Sequence, residues 1–256
     1  AWLAFMKYIL TIAILIISAC DSSNTEVIKI GSEKTEYLNI EEFPQGLKAK
    51  NIILAVGDGT GLNQVMLSRL AIGGMDHKLS IDQLPYHGIS LTHSYNNIYT
   101  DSAAAATTWA TGHKTKNRYL SIDVNKEKLQ TITEMLSKKS YISGLVATSS
   151  ITHATPAAFY AHIDSRYKYS EIAEQLIDSP INIAMGGGLE FFDIEKIEDS
   201  HHILTNKKSF NLNFNDSKKV IGLFDNDGIY RDTDKPTQRE MTDFTLKYLN
   251  KNQCNG

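Results

Sequence analysis

The stretch "KNIILAVGDGTGLNQVMLSRLAIGG", Lys50 to Gly74, decides the fold class. Ile52 to Val56 is a continuous apolar run, the pattern of a strand buried on both faces. A glycine-rich turn follows, "GDGTG" from Gly57 to Gly61, and Val65, Met66 and Leu70 then predict a helix. Strand, turn and helix in that order form a unit of an α/β protein. The pattern recurs downstream. "HGISLTHS" alternates Ile89, Leu91 and His93 against Ser90, Thr92 and Ser94, which predicts a strand. The alanine-rich stretch from Ser102 predicts a helix. "KLQTITEMLSKKS" sets Leu129, Ile132 and Leu136 on one helical face. "YISGLVATSS" reads as a buried strand, "YSEIAEQLIDS" as a helix, and "INIAMGGG" as a strand running into a turn. Residues 201–219 are polar and rich in Asn and Lys, the composition of a long loop. "PTQREMTDFTLKYLN" carries a capping-box pattern at Thr237 and Glu240, with an apolar face of Met241, Phe244, Tyr248 and Leu249. Alternating strands and helices imply a mainly parallel sheet covered on both faces, with ligands beyond the carboxyl ends of its strands. Asp58 and the turn before Ser102 are expected at that edge.

The chain has 256 residues, 42% hydrophobic and 21% charged, an ordinary globular composition. A net charge of -3 argues against a nucleic-acid binder, which would carry a basic face. The two cysteines, Cys20 and Cys254, define no disulfide framework and no CxxC pair. From Met6 the chain reads "MKYILTIAILIISACDSSN". Lys7 supplies a positive start, and Tyr8 to Ile17 an apolar core of signal-peptide length. That run is shorter than the roughly 20 apolar residues a membrane-spanning helix needs. "ISAC", Ile17 to Cys20, resembles a bacterial lipobox, in which the cysteine is lipidated after cleavage. The expectation is a membrane-anchored bacterial lipoprotein facing the periplasm or cell surface, attached through Cys20. "AWLAF" ahead of Met6 does not fit a signal start. Residues 1–20 thus read as upstream sequence and signal peptide, 21–47 as a polar tether, and 48–256 as the N-terminal part of a single domain.

Three segments carry candidate chemistry. "GDGTG" lacks the GxGxxG spacing and the lysine of a P-loop, and it places an acid, Asp58, in the turn. A carboxylate beside a phosphate is repulsive unless a cation lies between them, and Mg²⁺ and Zn²⁺ both accept carboxylate oxygen. Asp58 could equally stabilise the turn. In "YTDSAAAATTWATG", Tyr99 to Gly112, Ser102 stands at the positive end of a helix, where free N–H groups favour anions. Thr100, Asp101 or Ser102 could equally act as a plain helix cap. In "SSITHATPAAFYAHIDSR", Ser149 to Arg166, His153 and Thr155 follow a strand, and Arg166 could clamp phosphate in bidentate fashion. Each of these, alone, also fits an ordinary solvated loop residue.

Together the segments resemble the alkaline phosphatase family. The matching signatures are "NIILAVGDGTG", "YTDSAAAATTWATGHKTKN" and "THATPAAFYAHIDSR", with "MGGG" and "PTQREMT" in the family's order. The resemblance covers roughly residues 48 to 252. It implies a three-layer α/β/α sandwich around a large, mostly parallel sheet, usually dimeric. It also implies a metal-dependent phosphomonoester hydrolase acting through a phosphoserine, with two Zn²⁺ and one Mg²⁺. On matching positions, Ser102 would be the nucleophile and a zinc ligand, Asp58 would bridge the magnesium site and one zinc, and Thr155 would bind magnesium. His153 would be reached by the magnesium's bound water. Arg166 would clamp two phosphate oxygens, oriented by Asp101. Small phosphomonoesters would be the substrates.

One feature departs from the family pattern. The glutamate of the magnesium site and most zinc ligands are expected beyond residue 256, together with the later strands of the sheet. Asp76–His77 imitates a ligand pair but falls in the wrong part of the motif order, and His201–His202 sits in the polar stretch; neither is assigned to metal. The chain alone is therefore expected to be a catalytically incompetent fragment, or a lipid-anchored phosphate or metal binder, with apolar surface exposed where later strands would lie. A phosphodiesterase or sulfatase of the same superfamily is the enzymatic alternative, and Ser102 within "TDSA" argues against it.

Overall fold

The computed structural model describes residues 31–40, 46, 48–211, 218–230 and 234–252. The signal-peptide reading and Cys20 lie outside them, as does most of the polar tether. Among the described residues no helix is long and apolar enough to cross a membrane. The chain divides into two compact units, one of residues 1–42 and 60–87, the other of 43–59 and 88–256.

In the first unit the helix predicted after the glycine turn forms as α1, Leu62–Gly73. The extended segment from Gly31 runs along its end, where the N–H groups of Gly31 and Glu33 donate to Leu70 O at 2.9 Å and Ile72 O at 3.1 Å. The Arg69 guanidinium pairs with Asp82 at 2.7 Å, and its hydrogen bond holds that carboxyl below the usual carboxylate range.

The second unit carries, in chain order, α2 (Ser102–Thr111), α3 (Ile132–Ser137), β1 (Gly144–Ser150), α4 (Ala154–Ala157), α5 (Tyr169–Asp178), β2 (Ile183–Gly187), α6 (Ile194–Ile197), β3 (His201–Leu204), β4 (Lys219–Leu223) and α7 (Gln238–Asn252). The four strands form one sheet in the order β1-β2-β4-β3, every pair parallel. One row crosses it through Val146, Met185, Gly222 and Leu204.

Strand periodicity divides the side chains into two cores. Ala184, Ile221 and Leu223 face one way, into a cluster with α2 (Ala103, Ala106, Ala110), α4 (Ala154, Ala157) and α5 (Ile172, Ala173, Leu176). Ile183, Met185 and Val220 face the other way, against Met241, Phe244, Tyr248 and Leu249 of α7. Helices thus cover both faces of a parallel sheet, the three-layer α/β/α arrangement. The α7 face is the one the sequence predicts, and its capping box forms. Thr237 N–H donates to Glu240 Oε2 at 2.9 Å while Glu240 N–H donates to Thr237 Oγ1 at 3.2 Å. Gly144 lets α7 lie close: a Cβ there would stand 2.8 Å from Thr245 Cγ2.

Several local expectations are corrected. Ile52–Val56 forms no strand, and it lies exposed, with Ile52 at 78%. "HGISLTHS" likewise forms no strand, and Ile89 and Leu91 are exposed. Both runs have the composition of buried strands, yet neither joins a ladder among the described residues. The sheet described here accordingly has four strands. The 129–136 helix begins only at Ile132, because Thr131 and Glu134 close a capping box there while Leu129 N–H bonds Ser121 O. Residues 201–219 are not simply a polar loop: they begin with edge strand β3 and end at the first residue of β4, whose Val220–Gly222 pairs on both sides.

Met241 is fully buried between α7 and the sheet. Met241→Ala is expected to cost about 2–5 kcal/mol in urea unfolding, the range for truncating a buried large aliphatic side chain. The Lys207 ammonium, with the Thr237 N–H, holds Glu240 down to about 2 from its ordinary 4.5. A depressed carboxyl contributes stability above its unfolded value and loses it as pH falls through the folded one. The stability difference between the parent and Glu240→Gln is therefore expected at neutral pH and should vanish between about 4.5 and 2, read from urea midpoints across that window.

Candidate active site

Ser102 is placed by its neighbour. Asp101 is the N-cap of α2, and its Oδ1 accepts the Ala104 N–H at 3.0 Å. This satisfies one of the helix's free donors and leaves the Ser102 hydroxyl, in the first turn, without a capping task. Ala103, Ala104, Ala106 and Ala110 are buried, so methyl-sized side chains let α2 pack closely. Gly112 ends the helix in the left-handed region at φ 76°, its N–H bonded to Thr108 O.

The second oxygen of Asp101 faces the other way. Oδ2 accepts the Arg118 N–H at 3.0 Å and lies 3.4 Å from Arg166 Nη1. A short antiparallel pairing brings the arginine there. Leu120 and Ile163 exchange both backbone hydrogen bonds, and Arg166 N–H donates to Arg118 O at 2.9 Å. Arg118 itself sits at φ 74°, an uncommon conformation for a residue with a Cβ. Its N–H and carbonyl are thereby turned to Asp101 and Arg166 together. Both guanidinium groups lie over the Tyr167 ring, at 5.8 Å and 5.9 Å. Asn117 steadies the approach to the helix, accepting from Asp101 N–H at 3.2 Å and donating to Tyr99 O at 2.9 Å.

Asp58 completes the cluster. Ser102 Oγ donates to its Oδ1 at 3.2 Å, and Thr155 Oγ1 donates to its Oδ2 at 2.9 Å. Each carboxylate oxygen thus holds one hydroxyl. Thr155 lies in α4, just past the carboxyl end of β1, so the cluster occupies the edge where a parallel sheet presents ligands. His153, the N-cap of α4, stands in the same loop, with Nε2 3.3 Å from Asp227 Oδ1. Asp58, Ser102 and Thr155 are brought into direct contact, and Asp101 joins Ser102 to Arg166. Asp76–His77 lies in the first unit, where His77 Nδ1 sits 3.1 Å from Glu33 O. His201 and His202 open β3, at the amino edge of the parallel sheet.

The donor set can be tested against metals. Asp58, Ser102 and Thr155 offer carboxylate and hydroxyl oxygens, which suit a hard cation such as Mg²⁺ that keeps several waters. Zinc sites are usually built on several nitrogen or sulfur ligands. Among the described residues no group of three or more His, Cys, Asp or Glu is gathered to hold a metal. The set therefore fits magnesium and, among the described residues, lacks the nitrogen or sulfur ligands that would complete a zinc site.

Asn117, Arg118 and Asp227 were assigned no part from sequence. Asn117 ends the quoted "GHKTKN" run and Arg118 follows it directly, and that run is the signal that could flag them. Asp227 has no local motif.

Residues 49–202 match the family model described as alkaline phosphatase. Alkaline phosphatase 4 of Bacillus subtilis (strain 168) is 33% identical over 227 residues, covering 80% of this chain and 49% of the relative. Alkaline phosphatase 3 of the same organism is 30% identical over 97% of this chain and 57% of its own length. The chain spans about half the length of the curated relatives it matches. Among solved structures, a cold-active alkaline phosphatase from a psychrophilic Shewanella sp. aligns with a TM-score of 0.69 at 30% identity, over 77% of this chain and 52% of that one. A mutant TAB5 alkaline phosphatase with Mg bound in its M3 site aligns at 0.67 and 29% identity, over 79% and 61%.

Asp101→Ala is expected to destabilise the chain by about 0.5–2 kcal/mol through loss of the cap, while Asp101→Asn, an equally good cap, should recover most of it. Thermal unfolding of the two variants measures the difference.

Proposed function

We propose, on the premise that the chain belongs to the alkaline phosphatase family, that the complete protein hydrolyses phosphomonoesters through a phosphoserine at residue 102. The observation that carries this reading is the Ser102 hydroxyl at the start of α2, hydrogen-bonded to Asp58 and set beside the Asp101–Arg166 pair. The N–H groups and dipole of α2 favour an anion at that point. Arg166, steered by Asp101 and by the Arg118 carbonyl, presents planar N–H donors that suit phosphate oxygens.

In the first step the Ser102 hydroxyl gives its proton to solvent as Oγ forms a bond to phosphorus, the ester P–O bond breaks, and the departing alkoxide takes a proton from solvent. In the second, water forms a bond to phosphorus and releases a proton to solvent, the Ser102 Oγ–P bond breaks, and the serine oxygen takes a proton back. Phosphoryl transfer asks mainly for positioning and charge neutralisation, which Arg166 and the α2 N-terminus provide. Asp58 accepts the Ser102 hydroxyl hydrogen and so holds the oxygen in one orientation.

Asp58 and Thr155 are the residues that would hold Mg²⁺, with His153 reaching its bound water; the mutant TAB5 alkaline phosphatase with Mg bound in its M3 site supports a metal cofactor. When bound, divalent cations would neutralise phosphate charge and favour the deprotonated serine. The resemblance also implies two zinc ions. The described residues do not gather a zinc ligand set. Anchoring through Cys20 and a periplasmic or cell-surface location are part of the proposal, supported by the lipobox pattern alone.

Two outcomes test the reading on the full-length gene product. Ser102→Ala should lower kcat by about 10³-fold or more, as removal of a nucleophile does. Arg166→Ala should weaken inhibition by inorganic phosphate about 10–100-fold, the loss of a charged hydrogen-bonding partner. Rates on a phosphomonoester, a diester and a sulfate ester set the substrate class, and a preference for the diester would contradict the proposal.

A further inference from the structure

Arg118 serves the site with its backbone. Its N–H donates to Asp101 Oδ2 at 3.0 Å, and its carbonyl accepts the Arg166 N–H at 2.9 Å. Both bonds need the chain to turn at φ 74°, the left-handed region where a Cβ crowds the backbone. Glycine would hold that turn without strain and make the same two bonds. What an arginine adds at this position is its side chain, and a strained residue beside a reactive site points to a task for it.

The guanidinium of Arg118 is anchored where that of Arg166 is. Their Cζ atoms lie 5.8 Å and 5.9 Å from the centroid of one ring, Tyr167, which is itself 57% exposed. Their surroundings differ. The Arg166 side chain is 20% exposed and has Asp101 at 3.4 Å. Arg118 is exposed, and among the described residues no carboxylate pairs with its guanidinium. One charge is therefore largely buried and answered by a carboxylate, while the other stands at the same ring, open to solvent.

We propose that Arg118 is a specificity-determining residue whose guanidinium binds a second anionic group of the substrate, while Arg166 takes the phosphate that is transferred. The substrate class is then phosphomonoesters that carry a further negative group a few bonds from the reacting ester. The proposal rests on the reading of Ser102 as nucleophile and Arg166 as phosphate clamp. The chemistry suits the task. A guanidinium offers planar, paired N–H donors to two oxygens of an anion, and it stays charged wherever the reaction runs. The Tyr167 ring holds it in place, so less freedom is lost when the anion arrives. Exposure sets the strength: a pair in contact with water is worth a few-fold and weakens with salt.

The test uses the full-length protein and matched propyl, butyl and pentyl phosphates whose far end is either a phosphonate, which is not hydrolysed, or a hydroxyl. Arg118→Gly is the informative variant, because glycine keeps the turn, the N–H and the carbonyl and removes only the guanidinium. The readout is the phosphonate-to-hydroxyl ratio of kcat/KM, in which any common change of rate cancels. For at least one chain length that ratio is expected to be about 5-fold lower in Arg118→Gly than in the parent at low ionic strength. The difference should shrink in high salt. Equal ratios at every chain length, or a difference indifferent to salt, overturn the proposal. If the parent hydrolyses none of these esters, the phosphatase reading falls instead. Calorimetry with the same compounds then decides Arg118: the parent should favour the phosphonate end about 5-fold more than Arg118→Gly does, and equal preference overturns the assignment.

Discussion

The site depends on how Asp101 divides its two carboxylate oxygens. One closes the first turn of α2, and the other holds the Arg118 N–H and stands within reach of Arg166. A single side chain thus fixes where the proposed nucleophile begins and where the guanidinium proposed to bind phosphate ends. Because the cap is made by the residue before it, Ser102 can turn its hydroxyl to Asp58. A serine that capped its own helix would have its oxygen committed to a backbone N–H.

The three-layer frame supplies the rest. β1 and β4 both pair with β2, and the loops beyond their carboxyl ends carry Thr155, His153 and Asp227 to one edge. Small residues make that edge crowded without strain. Alanines let α2 and α4 approach each other, and Gly187 admits the Asp227 backbone where any side chain would collide. The opposite layer is built differently: α7 covers the sheet with Met241, Phe244, Tyr248 and Leu249.

Much of this frame is legible in the sequence. The apolar runs that become β1 and β2, the amphipathic stretch of α5 and the capping box of α7 are local signals, and each forms where its pattern points. Ile52–Val56 and "HGISLTHS" show the limit of local pattern. Periodicity records that a segment suits a buried strand; it does not name the strand that must lie beside it, and none does among the described residues. β3 is four residues long at a sheet edge, and β4 follows lysines, so neither stands out from polar surroundings. Within the site, Asp58, Ser102 and Thr155 could be grouped only through the family resemblance, since nothing local joins them. Arg118 escapes because its backbone does the work, and Asp227 because its partner is far away in sequence.

The central claim is that the Ser102 oxygen is the atom that carries phosphate between substrate and water. It is tested most directly by acid-quenching the full-length protein during turnover of a phosphomonoester and locating the phosphate by peptide mass spectrometry. The account predicts one phosphate on the Tyr99–Gly112 stretch, at Ser102. Turnover with that peptide unmodified, or phosphate on another residue, would contradict it.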